Sequence, residues 1–145
     1  MKSLNKSLLT LFLAFVMLTF ASCEKVKQQV QENVGEDLIV TIMTTGRWVV
    51  DVFTVAGVDV KQEFSGYEFQ FLKDGSVEAI KSTTTVKGTW KSDKTAMTIQ
   101  SSFPPGNTSL LRLNYTWSIT KTGTTFVEAR SEQNGAVSTM RLIKK

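Results

Sequence analysis

The feature that most constrains the fold is a two-residue period. Tyr67-Glu68-Phe69-Gln70-Phe71 places three aromatics on one side of an extended chain and two polar side chains on the other. Successive side chains of a strand point to opposite faces, so this is the pattern of a half-buried strand. Asp74-Gly75 follows. Both residues tolerate positive φ, so the pair reads as a two-residue hairpin turn, with Ser76 to Ser82 as the return strand. Upstream, Trp48-Val49-Val50-Asp51-Val52-Phe53 is rich in strand formers. Downstream, strands are predicted over Val86 to Lys91, Ala96 to Ser101, Leu111 to Thr120, Thr124 to Arg130 and Ala136 to Ile143. Turns are predicted at Ser92-Asp93-Lys94, Lys121-Thr122-Gly123 and Asn134-Gly135, and a proline-fixed loop at Phe103-Pro104-Pro105-Gly106-Asn107. Leu111, Leu113, Tyr115, Trp117 and Ile119 alternate with polar residues. Leu38 to Thr45 is two-sided: it is β-branched, yet Leu38, Ile39, Ile42 and Met43 also fit one helical face.

About eight strands with short connections imply an antiparallel, up-and-down order. Such a sheet has one apolar face and must cover it, by closing on itself or by folding into a sandwich. Closure gives an all-β barrel whose interior holds side chains or one small ligand. A β-sandwich is the competing architecture.

The N-terminus carries a different signal. Lys2 and Lys6 precede an apolar run from Leu8 to Phe20, too short for a mature membrane span and suited to a signal peptide. It ends in Phe20-Ala21-Ser22-Cys23, which resembles the bacterial lipobox. The resemblance implies cleavage before Cys23 and acylation of Cys23, hence a membrane anchor. Acyl chains such as palmitate would supply more than one lipid signal for stable attachment. The resulting division is a signal peptide over 1–22, a tether over 23–37 and a barrel domain over 38–145. The location implied is the cell envelope at the outer membrane, with its face left open. Within the tether, Val26, Val30 and Val34 share a helical face, so the segment is either a spacer or a helix plugging one barrel end.

Composition then narrows the chemistry. The chain of 145 residues allows one domain. It holds no histidine and a single cysteine, so no intramolecular disulfide, thiolate–imidazole metal site or histidine-based triad can form. No cofactor or metal is expected. The whole chain has 17 basic and 13 acidic residues. Removing Lys2 and Lys6 with the peptide leaves 15 against 13, and no basic run exceeds Lys144-Lys145. Nucleic acid is therefore not an expected partner. The carboxylates are scattered, and their spacing indicates no paired acid and base, so the chain is expected not to be an enzyme.

A family resemblance enters through an ordered set of segments. Gly46-Arg47-Trp48 looks like the glycine-x-tryptophan signature of lipocalins. Phe64 to Val77 follows, then Gly88-Thr89-Trp90-Lys91 and a closing Met140-Arg141-Leu142-Ile143-Lys144. The order is similar to lipocalin-like domains of Gram-negative lipoproteins and covers roughly residues 46 to 145. It implies a barrel base where Trp48 packs under Arg141 in a cation–π contact.

The inward aromatics have two readings. Trp48, Tyr67, Phe69, Phe71, Trp90, Tyr115, Trp117 and Phe126 either fill the interior or line a cavity for a small hydrophobic molecule. Phe126 facing inward would bring Glu128 and Arg130 with it; the other parity puts Val127 and Ala129 inside. Binding a small hydrophobic ligand is the first functional expectation. The alternative is a protein-interaction, inhibitor or structural module with a filled core, for which the Phe103 to Ser109 loop and the Thr54 to Glu63 segment are candidate contact points.

Overall fold

Pairing of sequence neighbours builds nearly the whole architecture. The computed structural model describes residues 38–145. Residues 38–44 form a helix, α1. The strands are β1 (Trp48–Val55), β2 (Val58–Asp59), β3 (Tyr67–Phe71), β4 (Ser76–Lys81), β5 (Thr84–Asp93), β6 (Thr98–Ser102), β7 (Thr116–Thr122), β8 (Phe126–Gln133) and β9 (Ala136–Lys144). A 3₁₀ turn at Lys61–Phe64 follows β2, and a one-turn helix, α2 (Thr108–Leu111), lies between β6 and β7. The sheet order is β2-β1-β3-β4-β5-β6-β7-β8-β9, and β1 also pairs with β9. β2 is a two-residue arm on β1, so eight strands close an antiparallel, up-and-down barrel. That closure rules out the sandwich.

The seam is uneven. β1 and β9 pair from Trp48↔Lys144 to Val55↔Ser138, whereas β1 meets β3 only at Trp48↔Phe69. The strand directions define two ends. One holds α1, the start of β1, the end of β9 and the turns at 72–75, 94–97 and 123–125; the Lys144 N–H bonds to the Thr125 carbonyl there. The far end holds the β1–β2 hairpin, the 3₁₀ turn, the turns at 82–83 and 134–135, and the 103–115 connection.

Residues 38–44 resolve as helix because Ile39, Ile42 and Met43 fall on one buried face, while Leu38 and Thr41 stay exposed. Asn134 and Gly135 both take positive φ, as a two-residue turn between Gln133↔Ala136 requires. Asp74 does not. Only Gly75 is in the left-handed region, the Gly75 N–H bonds to the Leu72 carbonyl, and the Asp74 carboxylate instead accepts from the Ser76 N–H and hydroxyl. The hairpin is where it was predicted, with a longer turn. β5 runs through Ser92 and Asp93 of the predicted turn, and the chain reverses at 94–97, with Lys94 as its first residue.

Two β-bulges break the alternation that the sequence suggests. One lies between Val50 and Val52 and one between Ile119 and Lys121. After the first, Val52 is 40% exposed and Phe53 fully buried, the reverse of a simple two-residue count from Trp48. The strand predicted over Leu111 to Thr120 is shorter than expected: the chain spends Thr108–Leu111 in α2 and enters β7 only at Thr116.

Gly88 on β5 marks the tightest approach in the wall. A Cβ there would lie 2.5 Å from the Ser102 carbonyl oxygen and 2.8 Å from the Phe103 ring. The first neighbour is backbone and cannot swing away. Gly88→Ala should therefore destabilise the fold by about 1–3 kcal/mol through overpacking, measured as a fall in the urea midpoint with an unchanged slope.

Candidate functional site

The interior is built from side chains of every long strand and from both ends. Phe53 packs tilted against Phe64 (4.7 Å between centroids) and meets Trp117 edge-on at 5.4 Å. Phe69 touches Phe64, Tyr67 and Phe103 at 6.0–6.5 Å, and Phe71 meets Trp90 edge-on at 5.3 Å. Offset and edge-to-face contacts at these separations suit the ring quadrupoles. The space left among them is about 30 Å³, lined by Phe69, Phe71, Phe103, Trp117 and Met43 among others. That is room for one or two waters. A ligand pocket for a drug-sized molecule takes about 300 Å³ or more.

Both ends are covered. α1 closes one: Met43 lines the cavity, and its carbonyl accepts from Trp48 Nε1 at 2.9 Å. The 103–115 connection closes the other by folding back over the barrel. Phe103, Leu110 and Leu113 are buried beneath it. Asn114 clamps its base, with Oδ1 accepting from the Phe103 N–H at 2.6 Å and Nδ2 donating to the Phe103 carbonyl at 2.9 Å. Asn107 caps α2 through the Leu110 N–H and donates to the Tyr67 hydroxyl at 2.6 Å. Arg112 reaches across to Glu63 in a two-point ion pair at 2.7 and 3.0 Å. The Leu113 carbonyl accepts from Ser101 Oγ and Trp117 Nε1. The Phe103 ring is thus part of the core and is not offered to a partner.

The eight pocket candidates divide three ways. Phe69, Phe71 and Trp117 line the residual cavity. Trp48, Tyr67 and Trp90 are buried as packing, with the Trp90 indole donating to the Leu72 carbonyl at 2.8 Å. Tyr115 and Phe126 are not in the interior. Tyr115 is 40% exposed, in the bend before β7 begins. Phe126 lies on the outer wall because Val127↔Leu142 and Ala129↔Met140 take the inward positions, so Glu128 and Arg130 face out with it. Met43 and Leu113 are buried, as their helical face and alternation implied, but the sequence reading missed Phe53, Phe64, Phe103 and Leu110 as core residues. The β1 bulge hides Phe53, and no local pattern marks the residues of the folded-back connection.

The expected Trp48–Arg141 contact is replaced by another cation. Lys144 Nζ lies 5.2 Å from the Trp48 ring. Arg141 sits opposite Val52 on the outer wall, 5.4 Å over Phe126 and 3.7–3.8 Å from carboxylate oxygens of Asp51 and Glu128. Parity decides this: Leu142 points inward, so Arg141 cannot. Cys23 lies outside the described residues.

A second hollow of about 270 Å³ opens to solvent at the β1–β3 seam, between Lys61, Tyr67, Glu68 and Lys145. Its charges are already paired. Glu68 accepts from Lys145 and from Arg47 (3.0 Å), and Lys61 lies 3.5 Å from Asp51.

No known protein-family model matches the chain, and no curated protein matches it. A crystal structure of a DUF4847 family protein from Bacteroides vulgatus is similar, with a TM-score of 0.55 and 17% identity over 74% of this chain and 97% of that one. At that identity the likeness shows the fold alone.

Two outcomes are expected. Met43→Ala should cost about 2–5 kcal/mol and leave a void large enough to take up xenon, checked by denaturation and by xenon-dependent methyl shifts. The Glu68 carboxyl is held below the ordinary glutamate range, chiefly by the Lys145 hydrogen bond and then by that from Arg47. A depressed folded value means that its stabilisation is present above the ordinary range and is lost as pH falls through the depressed value. Carbon-13 titration should place Glu68 below the ordinary glutamate range, and Lys145→Ala with Arg47→Ala should raise it.

Proposed function

We propose that this chain is a lipid-anchored, lipocalin-like protein of the cell envelope that works through its outer surface, as a protein-interaction or structural module. The observation that carries the reading is the filled interior: about 30 Å³ of free space under two closed ends. The ligand-carrier expectation needs roughly ten times that volume. An enclosed aromatic core supplies rigidity, and contacts with other molecules then fall to the outside. Val58, Leu111 and Tyr115 are large apolar side chains exposed at the end away from α1. Two of them ride on the 103–115 connection, which Asn114 and Arg112 hold in one shape. A pre-shaped loop of this kind loses little freedom on binding a protein partner. No catalytic step is assigned.

The anchor rests on Phe20-Ala21-Ser22-Cys23 after the apolar run. Acylation there would hold the domain at the outer membrane.

Native mass spectrometry of the mature chain, challenged with envelope lipid extract, should return the bare protein mass, and Nile red should give no saturable signal. A stoichiometric captured molecule would overturn the filled-module reading in favour of a carrier. In its host, the wild-type chain should carry acyl mass at Cys23, and Cys23→Ser should leave the membrane fraction.

A further inference from the structure

We propose that Met97 is a reversible oxidation site for peroxides, set apart by the fold from the methionines that pack the interior. The inference is independent of the anchor and of any partner.

The described residues hold three methionines, and the barrel gives each a different environment. Met43 is 1% exposed, whereas Met97 is 39% exposed. Met140 is half-buried and packs against the core. Met43 and Met140 both line the residual cavity of about 30 Å³. Met43 reaches it from α1, and Met140 from an inward position on β9 opposite Ala129. Met97 is the last residue of the 94–97 turn between β5 and β6.

Neither core packing nor backbone preference accounts for a methionine at position 97. Its φ is 51°, a region where glycine or asparagine is at ease. Backbone bonds hold the turn in place. Asp93 Oδ1 accepts from the Thr95 and Ala96 N–H groups, and the Met97 carbonyl accepts from the Ile119 N–H at 2.8 Å. The side chain stays at the surface. What methionine brings to such a place is a thioether that an oxidant in solution can reach.

The step needs one peroxide. A sulfur lone pair attacks one peroxide oxygen, an S–O bond forms and the O–O bond breaks. The displaced hydroxide takes the proton left on the transferred oxygen and departs as water. Sulfur loses two electrons and the peroxide gains them, giving the sulfoxide. At Met97 the new oxygen faces water. At Met43 or Met140 it would enter an apolar space of about 30 Å³ and stand there without a hydrogen-bond donor. Those two thioethers are therefore reached only when the barrel opens locally. The closed ends shield the methionines whose oxidation would disrupt the core and leave outside the one whose oxidation costs the fold little.

The test uses the mature chain with Cys23→Ser, which removes the only thiol. Hydrogen peroxide is added in large excess, and oxygen uptake at each methionine is followed by peptide mass spectrometry. In the folded protein Met97 should react within about threefold of its rate in concentrated urea. Met140 should react at least about fivefold more slowly than Met97, and Met43 at least about tenfold more slowly. In urea the three rates should converge. Met97→Leu should abolish the fast step and leave the other two rates as they were. After the fast step alone, near-ultraviolet circular dichroism and the urea midpoint should be unchanged. Methionine sulfoxide reductases of both stereospecificities should then return Met97 to the thioether. The proposal is overturned by a folded-state rate at Met97 no higher than at Met43 or Met140, or by a fast step that survives Met97→Leu. Loss of the fold after that step, or a sulfoxide that the reductases leave in place, overturns it equally.

Discussion

The pairing of the first strand with the last is the contact on which the other features depend. Seven residue pairs join β1 to β9, and nearly the whole described chain lies between them. Trp48 stands where that closure is completed. It pairs with Lys144 on one side and Phe69 on the other, is fully buried, and ties α1 down through its indole N–H. Closing a sheet abolishes the free edges that invite pairing with other chains. One gap remains where β1 and β3 diverge after a single pair, and it is bordered by Arg47, Glu68, Lys145, Lys61 and Asp51. Charged side chains at such a gap oppose the addition of a foreign strand.

Closing the wall would still leave two open ends over an apolar interior. The chain covers them by different means. α1 does so with an apolar face, Ile39, Ile42 and Met43. The 103–115 connection has little regular structure, so its backbone polar groups need other partners when its apolar residues go inward. Asn107, Asn114, Ser101 and Trp117 supply them. The polar residues of this segment thus make possible the burial of Phe103, Leu110 and Leu113.

The wall was legible in the sequence and the ends were not. A strand announces itself through neighbours two residues apart, as Tyr67 to Phe71 does, and turn pairs such as Asn134-Gly135 announce reversals. Strand count, antiparallel order and most connections follow from those local signals. A bulge has no such signal, so the inward placement of Phe53 and the exposure of Val52 were hidden. Alternation also misled at Leu111 to Tyr115, where a helical turn and a fold-back serve the interior through Leu110 and Leu113. Phe126 was left between two parities because that of β8 is set by its long-range register with β9. The residual cavity depends on the sum of all these placements, which no local pattern reports.

A filled eight-stranded barrel behaves as a rigid block rather than a container. Interiors packed at this density resist compression, and tilted strands of about eight residues, as in β1 and β8, hold the two ends roughly 20 Å apart. The ends differ in chemistry. One is covered by α1; the other carries a clamped loop with exposed Leu111 and Tyr115. The aromatic interior thereby fixes the distance between two chemically distinct ends.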